Sequence, residues 1–321
     1  MNTRITGTGY SLPAFRADND YLATLVETSD EWITERTGIR ARHLAGEETT
    51  VSMAAAAAEK ALKRAGADPS EVELLIVATI SGDTVTPSTA CRVQALIGAD
   101  KAVAFDINAA CSGFLYALHM ADACVKSGMY KNALLIGAET LSKLVDWNDR
   151  GTCILFGDGA GAAFVEAPEE AGILAHEVGS DGSRWEVLSC EGRPNGNPVC
   201  KAEGQEGFLQ MNGQEVFKFA VRKVPQCIDA ALEKAALKPE EVDLYLLHQA
   251  NCRIIQSVAK RLGQPEEKFP MNLNECGNTS AASLPILMAQ LDEQGKLNRG
   301  DTLVLSGFGA GLTWGACVIR W

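Results

Sequence analysis

Val103-Ala-Phe-Asp-Ile-Asn-Ala-Ala-Cys111-Ser-Gly-Phe-Leu-Tyr-Ala-Leu118 is the stretch around which the rest of the chain can be read. Val103 to Ile107 is a short apolar run with the length and composition of a buried strand. Asn108-Ala109-Ala110 is a turn of small residues, and Ser112-Gly113 opens an apolar segment that reads as a buried helix. Cys111 is thereby placed at a strand-to-helix corner, where unpaired N–H groups and the helix dipole favour a thiolate. The corner is analogous to a nucleophile elbow, in which a sharp turn presents a reactive side chain. A cysteine in apolar surroundings is more often structural. The corner therefore needs partners before it points to chemistry.

Outward from it, strands alternate with helices. Residues 5–10 read as a strand and 18–25 as a helix. Thr28-Ser-Asp-Glu31 is the capping signature of a short helix carrying Trp32 and Arg36. Residues 37–43 read as a basic turn, 50–65 as an alanine-rich helix closed by Gly66, 72–80 as a buried strand and 87–98 as a helix. Residues 133–137 and 162–166 read as further strands. In the second half, 214–237, 251–262 and 281–294 read as helices, with strands at 242–247, 302–306 and 314–319. Residues 179–213, rich in glycine and polar residues, interrupt the rhythm, and a loop this long is usually functional. The alternation, with several strands apolar throughout, indicates an α/β architecture with sheets covered on both faces.

The chain also echoes itself. Cys91-Arg-Val-Gln-Ala-Leu-Ile-Gly98 is answered by Cys252-Arg-Ile-Ile, 161 residues on. The turn and helix at Cys111 are answered at Asn278, 167 on, and the strand before Gly137 by the one before Gly307, 170 on. Such similar offsets predict a duplicated unit of roughly 150 residues, with halves 1–170 and 171–321.

Composition narrows the function. A 46% hydrophobic, 22% charged chain of 321 residues is ordinary for a soluble globular protein with a large core. A net charge of -12 and a pI near 4.9 argue against a nucleic-acid or anionic-membrane binder. An acidic partner would need a local basic patch. The first residues hold no apolar core of signal-peptide length, and no run approaches the roughly 20 apolar residues that span a bilayer. Ten cysteines scattered singly do not form a disulfide or zinc pattern, so a reducing cytoplasm is expected. No metal or redox cofactor is implied.

His248 follows a predicted strand in Leu-His-Gln-Ala-Asn251, and α/β sheets place ligands at strand ends. Asn278 lies in Gly-Asn-Thr-Ser-Ala-Ala-Ser283, a turn entering a helix at the position that the repeat pairs with Cys111. A pseudo-twofold would bring Cys111, His248 and Asn278 into one pocket. A cysteine, a neutral histidine and an asparagine supply a nucleophile and two hydrogen-bond donors, a set suited to acyl transfer and stabilisation of an enolate oxygen.

Asn-Ala-Ala-Cys-Ser-Gly-Phe, His-Gln-Ala-Asn-Cys-Arg-Ile-Ile, Gly-Asn-Thr-Ser-Ala-Ala-Ser and Gly-Phe-Gly-Ala-Gly-Leu-Thr-Trp-Gly resemble the 3-oxoacyl-[acyl-carrier-protein] synthase III family, from residue 5 to 321. These are the initiating condensing enzymes of type II fatty-acid synthesis. The resemblance implies a thiolase fold, with two similar halves in five αβαβα layers, and a homodimer. It implies that Cys111 takes an acyl group from acyl-CoA. Malonyl-carrier protein then loses CO2, with His248 and Asn278 holding the enolate oxygen. The backbone N–H groups of Cys111 and Ala310 would form the oxyanion hole.

By motif match, Thr28, Trp32, Arg36, Arg150 and Gly151 would bind CoA, with Trp32 and Arg150 on the adenine and Arg36 on phosphate. Phe217, Asn251 and Phe308 would line the pantetheine tunnel. Arg253, with Lys218, Arg222, Lys260 and Arg261, would dock the acidic carrier protein. One position departs from the family pattern. Thr86 stands where a phenylalanine often closes the acyl pocket from the partner subunit, so branched or longer primers are expected to fit.

Other readings fare worse. The Cys, His, Asn order also occurs in papain-like proteases, but their Cys-Gly-Ser-Cys-Trp context is missing. Gly157-Asp-Gly-Ala-Gly161 lacks the dinucleotide-binding spacing and runs into a strand. A thiolase proper would use a second cysteine, and an elongating synthase two histidines. A condensing enzyme of polyketide or quinolone synthesis remains open, as does a non-catalytic scaffold of the same fold.

Overall fold

The apolar runs assemble into two sheets. In the computed structural model, which describes residues 3–167, 172–200 and 207–321, the chain starts with β1 (Arg4–Ser11), β2 (Phe15–Asp18), α1 (Asn19–Ala23), α2 (Asp30–Thr37) and β3 (Ala41–Leu44). It continues through α3 (Thr50–Ala65), β4 (Leu74–Ala78), α4 (Thr89–Ile97), β5 (Val103–Ile107), α5 (Gly113–Lys126), β6 (Asn132–Glu139) and β7 (Gly159–Glu166). Next come β8 (Ile173–Ser180), β9 (Leu188–Ser189), β10 (Gln210–Met211), α6 (Gly213–Lys234) and β11 (Leu244–Leu247). The chain closes with α7 (Cys252–Leu262), α8 (Leu273–Cys276), α9 (Ser283–Glu293), β12 (Thr302–Gly309) and β13 (Thr313–Arg320).

The first sheet has strand order β1-β7-β6-β4-β5 and the second β11-β12-β13-β8. In both, parallel pairing at the side of β5 or β11 gives way to antiparallel pairing at the other side. Phe114, Leu118, Leu284 and Met288, from α5 and α9, share one apolar cluster with residues of both sheets, so these two helices form a middle layer. α3 and α4 cover the outer face of the first sheet, and α6 and α7 that of the second. Five layers result, as expected. Phe114 is fully buried in the middle layer, where burial contributes about 1.5–3 kcal/mol.

The alanines of α3 are explained by its distance from β1. A Cβ on Gly9 would lie 2.3 Å from the Ala57 carbonyl oxygen, so only glycine facing alanine lets helix and strand approach this closely. Thr49 caps α3 by accepting the Ser52 N–H at its hydroxyl, and its own N–H donates in return to Ser52 Oγ.

The repeat is more regular than the sequence suggests. Leu74 and Leu244 open β4 and β11, Gly113 and Ser283 open α5 and α9, and Asn132 and Thr302 open β6 and β12. Each pair is 170 residues apart. Cys111 therefore corresponds to Ala281, and Asn278 to Asn108, which corrects the pairing of Cys111 with Asn278. The expected boundary between the halves falls at 170 and 171, outside the described residues. The sheets themselves draw on residues 4–166 and 173–320.

Three local expectations change. Val103–Ile107 is the edge strand of its sheet, with Val103 49% and Phe105 38% exposed, because no strand among the described residues pairs beyond it. The helix expected at 18–25 is shortened, since Asp18 ends β2 and caps α1 through the Tyr21 N–H. The basic turn at 37–43 instead leads into β3, which pairs with β2 and buries Arg42 completely.

Candidate active site

Cys111 sits in a 3₁₀ turn, Ala110–Ser112, between β5 and α5. Asn108 Oδ1 accepts the Ala110 N–H at 3.3 Å, and Ala110 takes a left-handed φ of 46°. That conformation is costly for a residue with a side chain and makes the corner sharp. The turn is pressed against the second half of the chain. A Cβ on Gly309 would lie 2.7 Å from the Cys111 nitrogen. The Thr313 hydroxyl binds the carbonyls of both Ala109 and Ala310, at 3.1 and 3.0 Å, and so ties the Cys111 turn to the loop after β12.

The second half repeats the device. Asn278 Oδ1 accepts the Ser280 N–H at 2.9 Å, and Ser280 has a φ of 47°. The backbone of Asn278 is clamped on both sides: its N–H donates to Leu155 at 2.8 Å and its carbonyl accepts from Gly157 at 3.0 Å. With its oxygen and backbone engaged, Asn278 offers the amide Nδ2 to the cavity that it lines.

His248 stands just past the end of β11, 2% exposed, with its N–H on the Ser306 carbonyl at 2.8 Å. Its Nδ1 lies 2.6 Å from Ser283 Oγ, which also accepts the Gln249 N–H at 3.4 Å. With the ring hydrogen on Nε2, the Ser283 hydroxyl donates to Nδ1. The Phe308 ring meets the imidazole edge-on at 5.5 Å. Burial in this apolar pocket pushes the imidazole down to about 3, so it is neutral and carries a single ring hydrogen.

The cysteine behaves differently from the sequence expectation. Burial pushes the Cys111 thiol up to about 12, the Ser280 hydroxyl works in the other direction, and the Glu139 charge adds to the rise. A rise of that size corresponds to roughly 4 kcal/mol. A helix N-terminus offers about 0.3–2 kcal/mol. Desolvation wins, and the resting residue is a thiol rather than the expected thiolate.

Cys111, His248 and Asn278 line the same cavity of about 240 Å³, together with Phe308 and Gly309. Of the residues expected to bind CoA or pantetheine, Trp32, Arg36, Gly151, Phe217 and Asn251 line it as well. Arg150 and Thr28 do not. Arg150 donates to the Glu27 carbonyl at 2.9 Å and rests 5.1 Å above the Trp32 ring, while Arg36 lies 4.5 Å from the same ring. The Thr28 hydroxyl is buried with no hydrogen-bond partner. Arg253 and Lys218 border the shallower depression outside the cavity. Lys218 is paired with Glu215 at 2.8 Å, and Arg261 reaches the Val221 carbonyl at 3.4 Å. Arg222 and Lys260 are exposed on the neighbouring helices α6 and α7. Thr86 is exposed on a loop and does not reach this cavity in the single chain.

Several contributors were not singled out from the sequence. Ser283 sets the histidine tautomer, and the only available signal was its place in the motif after Asn278. Arg42 donates to the Ile154 carbonyl and to Asn19 Oδ1, and so supports the segment 154–156 that walls the cavity and clamps Asn278. Leu188 and Met211, from the short β9–β10 pair inside the 179–213 stretch, also line the cavity. Of that stretch, residues 201–206 lie outside the described residues.

Comparison with known proteins agrees with this geometry. Residues 105–182 match the family described as 3-oxoacyl-[acyl-carrier-protein (ACP)] synthase III, and residues 232–321 match its C-terminal counterpart. The beta-ketoacyl-[acyl-carrier-protein] synthase III of Clostridium perfringens is 48% identical over 99% of both chains. The crystal structure of 3-oxoacyl-[acyl-carrier-protein] synthase III from Aquifex aeolicus covers 100% of both chains, at 48% identity and a TM-score of 0.93. The priming beta-ketosynthase of the R1128 polyketide pathway is 34% identical, covering 99% of this chain and 96% of its own, with a TM-score of 0.92. With both family models matched and nearly half of all positions shared end to end with such relatives, the chain belongs to the 3-oxoacyl-[acyl-carrier-protein] synthase III family, condensing enzymes of the thiolase fold.

Proposed function

We propose that this chain transfers an acyl group from acyl-CoA to Cys111 and then condenses it with malonyl-carrier protein, releasing CoA, CO2 and a 3-oxoacyl-carrier protein. The observation that carries the reading is the convergence of Cys111, His248 and Asn278 on one cavity with Trp32 and Arg36 among its other lining residues. In the first half-reaction Cys111 Sγ attacks the thioester carbonyl. The N–H groups of Cys111 and Ala310 stabilise the oxyanion, and the CoA thiolate leaves. In the second, His248 Nε2–H and Asn278 Nδ2–H hold the malonyl thioester oxygen while CO2 departs. The enolate carbon then attacks the acyl-cysteine. Each donor fixed where negative charge develops contributes about 3–4 kcal/mol.

Thr28, Trp32, Arg36, Arg150 and Gly151 hold CoA, and Phe217, Asn251 and Phe308 guide its pantetheine arm. Arg253, with the weaker candidates Lys218, Arg222, Lys260 and Arg261, receives the acidic carrier protein. The working unit is a homodimer, supported by the exposed edge of β5 with Val103 and Phe105. The reaction calls on no cofactor. The singly scattered cysteines, with no Cys-x-x-Cys pair, fit a reducing cytoplasm, and among the described residues no helix is long and apolar enough to cross a membrane.

Intact-protein mass after incubation with a panel of acyl-CoAs tests the reading. A gain equal to the acyl group, absent in Cys111→Ala and discharged by malonyl-carrier protein, is expected. No adduct with any acyl-CoA would overturn it.

A further inference from the structure

Gln249 follows His248 and is completely buried, with both ends of its side-chain amide bonded. Nε2 donates to the Leu247 carbonyl at 2.8 Å, so the side chain bends back to the residue on the other side of His248. Oε1 accepts the Asn272 N–H at 3.1 Å. The Gln249 N–H reaches Ser283 Oγ at 3.4 Å, the same hydroxyl that meets His248 Nδ1. A buried amide bonded at both ends holds the segments that it joins in one arrangement.

Those segments carry the two side-chain donors of the cavity. On one side is the end of β11 with His248. On the other is Asn272, the residue before α8. The Asn272 carbonyl accepts the Glu275 and Cys276 N–H groups at 3.1 and 3.0 Å, and the Leu273 carbonyl accepts the Gly277 N–H at 2.9 Å. Asn278 comes next. The chain of amides continues to α9, where Asn272 Nδ2 donates to Gln290 Oε1 at 2.8 Å and Gln290 Nε2 to Cys276 Sγ at 3.9 Å. Ser283 therefore ties His248 to the chain after Asn278, and Gln249 ties it to the chain before.

We propose that Gln249 is a positioning residue for the condensation, fixing the separation of His248 Nε2 and Asn278 Nδ2 so that both meet one thioester oxygen. The inference rests on the proposed function, in which these two groups hold the malonyl carbonyl. Two donors share one oxygen only if each lies within about 2.7–3.2 Å of it. A misplacement of about 1 Å costs roughly 10²-fold in rate. Cys111 stands on the turn before α5, and none of these bonds reaches that turn. The acyl transfer to Cys111 is therefore independent of Gln249.

Two single-turnover measurements followed by intact mass test the role: acylation by acetyl-CoA, and discharge of the acyl-enzyme by malonyl-carrier protein. Gln249→Met keeps the length of the side chain and removes both bonds. Its maximal discharge rate should fall about 10–10²-fold. The half-saturating concentration of malonyl-carrier protein and the acylation rate should stay within about threefold of wild type. Gln249→Asn keeps an amide that is one methylene too short to reach both partners. It should show the same split, and it decides the matter if the methionine variant does not fold. Wild-type discharge in either folded variant overturns the inference, as does a loss that falls equally on acylation and discharge. A wild-type chain acylated by no acyl-CoA overturns the proposed function instead.

Discussion

Asn108 and Asn278 make the same hydrogen bond in the two halves of the chain, each accepting the N–H two residues ahead, at 3.3 and 2.9 Å. In both, the donating residue, Ala110 or Ser280, is in the left-handed region, and of the two asparagines only Asn278 lines the cavity. The family's condensing site thus reuses a structural turn. The oxygen of the Asn278 amide holds the turn and leaves its nitrogen for the cavity that the residue lines.

That division of labour makes Asn278→Asp informative. The substituted side chain keeps the oxygen for Ser280 and replaces the donor with an acceptor. We expect normal folding and normal acylation of Cys111, with discharge by malonyl-carrier protein about 10²–10³-fold slower. Equal loss in both half-reactions would show that the asparagine only shapes the turn.

Ser283→Ala should also separate the two steps. Without the hydroxyl, His248 Nδ1 is buried unsatisfied and the tautomer is no longer set, at a cost of about 1–3 kcal/mol. The discharge rate is expected to fall about tenfold to a hundredfold, with acylation unaffected. Separate measurement of the two half-reactions decides it.

The buried imidazole predicts acid sensitivity. The folded chain keeps His248 neutral down to about 3, whereas its ordinary value is 6.5. As pH falls below 6.5, the unfolded chain gains a proton that the folded one refuses. Stability is lost through that window, by up to about 1.4 kcal/mol per pH unit from this group. Urea unfolding at pH 7 and pH 5 should show a loss about 2 kcal/mol larger in the wild type than in His248→Asn. An equal loss in the two would place the acid-sensitive group elsewhere.

Primer choice is predicted to turn on Thr86. The wild type is expected to accept four- to eight-carbon acyl-CoAs at rates comparable with acetyl-CoA. Thr86→Phe should depress the longer primers by at least about tenfold and spare acetyl. Wild-type turnover with longer primers far below that with acetyl would refute the role given to the small side chain.

Because Thr86 does not reach the cavity within one chain, that role depends on a second copy. Phe105→Glu places a charge on the exposed β5 edge, where pairing with a second β5 would bury it. Light scattering should report a monomer for this variant and a dimer for the wild type. A dimer in both cases would move the interface to another surface.

Much of this was legible in the chain alone, because burial and secondary structure impose local periods. The apolar runs of β4, β6 and β12, the alanine face of α3 and its closure at Gly66 are local signals. They indicated an α/β protein with a repeated unit. The motifs around Cys111, His248 and Asn278 named the three residues of the cavity for the same reason, as each lies at a short, distinctive turn.

Tertiary structure decided what depends on distant neighbours. The register of the repeat, which pairs Cys111 with Ala281, is hidden in sequence because equivalent strands conserve shape rather than identity. The charge state of Cys111 is set by how completely the two halves exclude water around it, and no spacing in the chain reports that. The tautomer of His248 depends on a hydroxyl 35 residues away. The edge position of β5 follows from which strands pair, and a short apolar run looks the same in sequence at the centre of a sheet and at its edge.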